Sequence, residues 1–165
     1  MSDTKANLKE AFAGESQANR KYLAFAKKAD QDGFPMVARL FRTASEAETI
    51  HALAHFANMD GIGSTADNLK AAVEGETYEA EKMYPPMIAQ AQAENHRGKR
   101  MFEMAAKAEA VHAKLYAMAL QAVQSGQDIA ADAFYLCPVC GHVEMGAAPA
   151  ICPICGNKGD RFQKM

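Results

Sequence analysis

Ala44-Ser45-Glu46-Ala47-Glu48-Thr49-Ile50-His51 and Ala105-Ala106-Lys107-Ala108-Glu109-Ala110-Val111-His112 are two writings of one segment. Each ends in Glu-x-x-His, and each has the Glu of a Gly-Glu pair 33 positions upstream: 48 − 15 = 33 for Gly14-Glu15, and 109 − 76 = 33 for Gly75-Glu76. The second set is the first displaced by 61 residues, and Arg39-Leu40-Phe41 recurs as Arg100-Met101-Phe102. A helical hairpin has been duplicated. Positions i and i+3 share a helix face, so each Glu-x-x-His turns a carboxylate and an imidazole toward one point. The upstream Glu, on an antiparallel partner helix, can reach the same space.

Two such hairpins offer four glutamates and two histidines. That is the ligand set of di-iron or di-manganese carboxylate bundles, with one Glu from each of two helices and a Glu-x-x-His from each of the other two. A single Glu-x-x-His says little, since helices are rich in Glu and a His three residues on is usually a surface or core residue. Two copies with matched upstream carboxylates are specific.

The 165 residues carry a formal net charge of −2, with a pI near 6.2. This gives neither the basic footprint of a nucleic-acid binder nor a polybasic membrane patch. No apolar run approaches the roughly 18 residues of a membrane span, and Met1-Ser2-Asp3-Thr4-Lys5 leads into amphipathic sequence rather than a signal-peptide core. A cytoplasmic protein is expected. All four cysteines fall in the last 30 residues, and paired CxxC motifs in that compartment bind metal more often than they form disulfides.

In chain order, a first helix is predicted over about 4–31, with Ser2 or Thr4 as N-cap. Its apolar stripe Leu8, Ala11, Phe12, Ala18, Tyr22 and Phe25 is interrupted by Glu15. A carboxylate in an apolar stripe is costly to bury without a cation, and a metal answers that cost. Gly14, unfavourable in a helix interior, suggests close helix approach beside the metals. A second helix is expected from Pro35 to before Gly61, with His55, whose counterpart in the second hairpin is Tyr116, as an outside candidate ligand. A third runs from about Ala66 to Asn95, capped by Ser64 or Asp67, carrying Glu76 and Glu79, and kinked or locally broken at Pro85-Pro86. A fourth spans about 99–124.

After a short linker, 127–131, Cys137-Pro138-Val139-Cys140-Gly141 and Cys152-Pro153-Ile154-Cys155-Gly156 form two knuckles. They offer four thiolates to one tetrahedral ion, zinc or iron. Each trailing glycine suits a left-handed turn that aims backbone N–H groups at sulfur. Tyr135 and Phe162 are expected in a very small core. A module of roughly 30 residues buries too little surface to fold without its metal.

These motifs together resemble the rubrerythrin family: Phe12-Ala13-Gly14-Glu15-Ser16-Gln17-Ala18, Glu48-x-x-His51, Gly75-Glu76-x-x-Glu79 with Met83-Tyr84-Pro85, Glu109-x-x-His112, and the four terminal cysteines. The resemblance implies a mainly α chain: a ferritin-like four-helix bundle over 1–131, then a rubredoxin-like four-cysteine domain over 132–165. It implies a peroxidase that reduces hydrogen peroxide to water in oxidative-stress defence. Glu15, Glu48, Glu76 and Glu109 would be the carboxylates of a di-iron centre, with Glu48 and Glu109 bridging. His112 would be the permanent histidine ligand, while Glu79 and His51 exchange at the mobile iron as its oxidation state changes. Tyr22 and Tyr84 resemble tyrosines that hydrogen-bond ligand carboxylates, with core packing as the alternative. Cys137, Cys140, Cys152 and Cys155 would hold one iron that passes electrons from a reductase or redox protein. The short linker argues against a single chain bringing that iron near the di-iron site, and so for a homodimer, head-to-tail or helix-swapped.

Two rivals remain. A ferroxidase or iron-storage protein of the same fold has no use for the thiolate module or for Glu79. A zinc-ribbon binding module on a structural bundle would leave the knuckles colourless.

Overall fold

The computed structural model describes residues 3–165 and divides the chain into two compact units, which part between Gly63 and Ser64. The break falls between the two copies of the repeat.

The first unit is a hairpin of α1 (Thr4–Gln31) and α2 (Pro35–Asn58). Of the two expected caps of α1, Ser2 lies outside the described residues and Thr4 is already helical. Asp3 caps instead, accepting from the Ala6 N–H at 2.8 Å, because a carboxylate satisfies an orphan first-turn donor and favours the positive end of the helix. Pro35 opens α2, where its missing N–H costs nothing.

Small residues let the two helices approach: Ala26, Ala38, Ser45 and Ala52 are buried along the seam. Phe12 stacks on Phe56 (centroids 5.0 Å apart), and Phe25 meets Phe41 edge-on at 5.5 Å. Between these aromatic contacts lies a polar rung. The Asn19 amide donates to the Ser45 carbonyl at 2.8 Å and to Thr49 Oγ1 at 2.7 Å, and the Ser45 hydroxyl donates back to the Asn19 carbonyl at 3.2 Å. Gly14 does not serve close approach within this hairpin, since a Cβ there meets nothing within 4 Å; Gly75 is the same.

The second unit begins with α3 (Thr65–Tyr78), capped by Ser64, which accepts from the Asp67 N–H. The long third helix expected from the sequence is not uniform. Residues Glu79–Met83 form a π-helical turn, closed by the Tyr84 N–H to the Glu79 carbonyl, before α4 (Tyr84–Ala93). Pro85 and Pro86 cannot donate to the preceding turn and their rings crowd its carbonyls; widening by one residue resolves both, and such bulges cluster at functional sites. After a turn with Asn95 at φ +51°, α5 (Lys99–Gln124) follows, as predicted.

A small antiparallel sheet completes the unit, with β1 (Phe134–Leu136) between β2 (Val143–Met145) and β3 (Gln163–Lys164). Cys137, Cys140 and Cys152 form its buried centre. Phe162 packs there as expected, but Tyr135 does not; Ile154 and Met104 of α5 do. No helix among the described residues is long and apolar enough to cross a membrane.

The rung at Asn19 gives a first prediction. Asn19→Ala leaves the partly buried Ser45 carbonyl without the amide, and should lower the stability of the chain by about 1–3 kcal/mol in denaturant unfolding. A loss below about 0.5 kcal/mol, the scale of a neutral surface change, contradicts the structural role of that rung.

Candidate metal centres

Each hairpin converges its three predicted ligands by itself. In the first unit, His51 Nδ1 lies 3.0 Å from Glu48 Oε2 and 4.0 Å from Glu15 Oε1. In the second, His112 Nδ1 lies 2.7 Å from Glu109 Oε2 and 4.0 Å from Glu76 Oε2. Within each triad the donor atoms all fall within 4.8 Å of one another. Two carboxylates and an imidazole, all unbonded to the helix backbone, suit a borderline divalent ion such as iron, manganese or zinc.

The triads repeat in sequence and geometry but not in environment. The His51 side chain is 55% exposed and His112 only 21%. Among the described residues, no second partner holds the His51 ring. The His112 Nε2, by contrast, donates to the Gly141 carbonyl at 3.0 Å. A carbonyl only accepts, so Nε2 carries the proton and Nδ1 is left to face the carboxylates. An apolar cavity of about 370 Å³ lined by Leu115, Tyr116, Ile129, Phe134 and Val143 adjoins the same imidazole; low polarity there strengthens the hydrogen bond.

Burial pushes Glu76 up from the ordinary carboxylate range to about 7, reinforced by a hydrogen bond to Glu109 and by that residue's charge, and opposed by His112. Glu79 is raised by burial and then by Glu109, again opposed by His112. Tyr84 is raised by burial and by the charges of Glu109, Glu79 and Glu76. Glu79 and Tyr84 therefore share the field of the second triad, although Glu79 is not among the three donors that converge there. Glu79 sits at the first residue of the π turn, a placement that changes which way its side chain leaves the helix relative to a regular α turn.

Tyr22 packs against Phe41 and Phe25, at 6.0 and 6.3 Å between centroids. Within its own unit it is packed among aromatic rings. His55 joins no triad and sits in the last turn of α2.

The four cysteines are free thiols whose sulfurs gather as predicted. Sγ of Cys137 is 3.6 Å from that of Cys155, and Cys140 is 3.5 Å from Cys152. A disulfide needs about 2.05 Å, whereas metal–sulfur bonds of about 2.3 Å to a tetrahedral ion put sulfurs roughly 3.8 Å apart. The spacing fits a metal. Gly141 and Gly156 take φ of +79° and +75°, the left-handed turn expected of each. Burial pushes the Cys137 thiol up, but the N–H groups of Cys140 and Val139 outweigh it and bring it down to about 7; burial raises Cys140 and Cys155.

The knuckle meets α5 of its own chain, through the His112–Gly141 hydrogen bond and through Met104. Neither contact was visible from spacing, because Gly141 acts through its carbonyl and Met104 lies outside every motif.

A family profile described as "Rubrerythrin" matches residues 6–120, and one described as "Rubrerythrin, rubredoxin-like domain" matches 135–163. "Rubrerythrin-2" of Clostridium acetobutylicum is 36% identical, over 94% of this chain and 93% of that protein. "Nigerythrin" of Nitratidesulfovibrio vulgaris is also 36% identical, over 98% and 86%. The solved structure titled "Fully reduced state of nigerythrin (all ferrous)" aligns with a TM-score of 0.58 at 36% identity, covering 100% of this chain and 88% of that one.

The raised Glu76 carboxyl makes a pH prediction. Its folded value near 7 exceeds the ordinary 4.5, so between those values the metal-free fold holds more protons than the unfolded chain. That contribution is complete at low pH and is lost as pH rises through about 7. The melting temperature of metal-free protein should therefore fall between about pH 5 and pH 8, and Glu76→Gln should flatten the fall. Metal uptake at the lower pH should release a proton, detectable by calorimetry in buffers of different ionisation enthalpy; a pH-independent uptake without proton release contradicts the assignment.

Proposed function

The chain belongs to the rubrerythrin family, and on that premise we propose that it is a non-haem di-iron peroxidase, reducing hydrogen peroxide to water in defence against oxidative stress. Its fold is mainly α, of the ferritin-like class, followed by a rubredoxin-like module. The observation that carries the reading is the pair of matching Glu, Glu, His triads with a four-sulfur knuckle reaching one of them.

In this reading the triads are the two halves of one centre. Glu15, Glu48, Glu76 and Glu109 would hold the metals as anionic oxygen donors, with His112 as the constant histidine and Glu48 and Glu109 proposed as the shared carboxylates. Bound there as a ferrous pair, iron supplies two electrons, so that hydrogen peroxide and two protons become two molecules of water. The chain's residues govern geometry and protons. His51 is exposed and, among the described residues, bonded only within its triad, which leaves it able to swing; a neutral imidazole suits a ferrous ion while the anionic Glu79 suits a ferric one. Burial and then Glu109 raise the Glu79 carboxyl, opposed by His112, and the net rise shifts it toward its neutral form when it is not a ligand. It can then give a proton to a departing oxygen.

An electron leaving the Cys140 sulfur has a short route: the Cys140–Gly141 backbone, the Gly141 carbonyl, and the His112 ring. The four thiolates are proposed to hold iron, with electrons supplied by a reductase or redox protein. The domain division is proposed at 131/132, in the interval between the two family matches. A homodimer, head-to-tail or helix-swapped, and a cytoplasmic setting where the four cysteines stay reduced complete the proposal.

Iron-loaded, reduced protein should react much faster with hydrogen peroxide than with dioxygen in stopped-flow mixing; preference for dioxygen would make it a ferroxidase. Oxidised protein should be red from sulfur-to-iron charge transfer, whereas a colourless iron-grown preparation means zinc knuckles. Glu79→Ala should lower peroxide turnover about 10²–10⁴-fold, the range for loss of a positioned proton donor. Unchanged turnover removes Glu79 from the mechanism.

A further inference from the structure

We propose that the four-cysteine site and the Glu76–Glu109–His112 triad are coupled in metal affinity through the hydrogen bond from His112 Nε2 to the Gly141 carbonyl, so that loading the knuckles raises the affinity of that triad. This rests on the preceding reading that both sets bind metal.

The coupling follows from what holds each partner in place. A ligating histidine is oriented by what its other nitrogen bonds, and loss of such a partner typically costs about 10–100-fold in metal affinity. For His112 that partner is one backbone carbonyl, 3.0 Å away. Gly141 in turn is placed by the knuckle. Its φ is +79°, its N–H donates to the Cys137 carbonyl at 3.1 Å, and the next residue's carbonyl accepts from the Cys137 N–H at 2.8 Å. That loop is closed between Cys137 and Cys140, two of the buried sulfurs.

The module that fixes the carbonyl has little else to fix it. Its strands are three, three and two residues long, and the cysteines themselves are its buried centre. A structure of that size depends on its metal for order. Without metal at the sulfurs, the Gly141 carbonyl loses its fixed position, and His112 loses the bond that selects its tautomer. The first triad has no such link, because His51 has no second partner among the described residues. The two halves of the centre therefore load differently. The second triad waits for the knuckles, and the first does not. Coupling of this kind is reciprocal, so metal at the second triad raises the affinity of the cysteines for theirs by the same factor.

The test uses the full chain and cobalt(II) as probe, with zinc loaded in the knuckles, against the full chain carrying Cys152→Ser and Cys155→Ser, whose knuckles cannot close on a metal. Circular dichroism establishes that the helices persist. Cobalt bound by carboxylate and imidazole has weak visible d–d bands without sulfur charge transfer, so its affinity is read directly. We expect the affinity of the second triad to fall about 10–100-fold in the variant. Equal affinities overturn the coupling alone, whereas no carboxylate–imidazole cobalt in either protein overturns the metal reading of the triads and the coupling together.

Nitrogen-15 NMR of the imidazoles in triad-empty protein supplies a readout that the charge of a metal tetrathiolate would not move. With zinc in the knuckles, His112 Nε2 should carry a proton held to the Gly141 carbonyl. Without zinc, His112 should average between tautomers, while His51 is unchanged. A His112 tautomer that persists with empty knuckles contradicts the proposal.

Discussion

Carboxylates that share a small space with one another must share it with a cation or a proton, and this constraint shapes the chain. Glu76 is pushed up to about 7 by burial first and then by the hydrogen bond and charge of Glu109 beside it. Hydrophobic packing alone would have removed these glutamates from the helix faces; they persist in both copies of the hairpin at the same spacing from a histidine. The helices supply rigidity, the i and i+3 relation supplies convergence, and small residues such as Ala26, Ala38 and Ser45 let the first pair of rods lie close enough for the third ligand to arrive.

Duplication gave two triads of equal chemistry, and the surroundings have made them unequal. The first lies in a hairpin that leaves His51 more than half exposed. The second is sheltered, shares its field with Glu79 and Tyr84, and is tied to the cysteine knuckle by a backbone carbonyl. The asymmetry is in what holds each histidine: His112 is bonded to the Gly141 carbonyl, while His51 has no second partner among the described residues. The π turn belongs to the same asymmetry, because it occurs only in the second copy and begins at Glu79, the carboxylate that has no counterpart in the first.

Most of this could be read from residue patterns because it is written in periodicity and spacing. The extent of α1 and α2 followed from the apolar stripe of the first helix, Pro35 and Gly61, and both triads followed from the 33-residue interval. The knuckles followed from CxxCG. What escaped was set by the backbone or by tertiary packing. Asp3 outcompeted the expected caps through a single N–H, and the response to Pro85-Pro86 was a widened turn rather than a break. The packing of Tyr22 against Phe25 and Phe41 was likewise not written in spacing. The Gly141 carbonyl carries no side-chain signature at all, so its bond to His112 could not be anticipated.

The central claim is that two triads, one from each copy of the hairpin, hold a metal pair as one centre, with a third metal in the cysteine knuckles. Anomalous diffraction at the iron edge from crystals of iron-loaded protein tests it most directly. The account requires three iron peaks per chain: one among Cys137, Cys140, Cys152 and Cys155, and two about 3.5–4 Å apart with Glu15, Glu48, Glu76, Glu109 and His112 around them. Iron bound singly at isolated triads, or absent from them while the cysteines are filled, would contradict it.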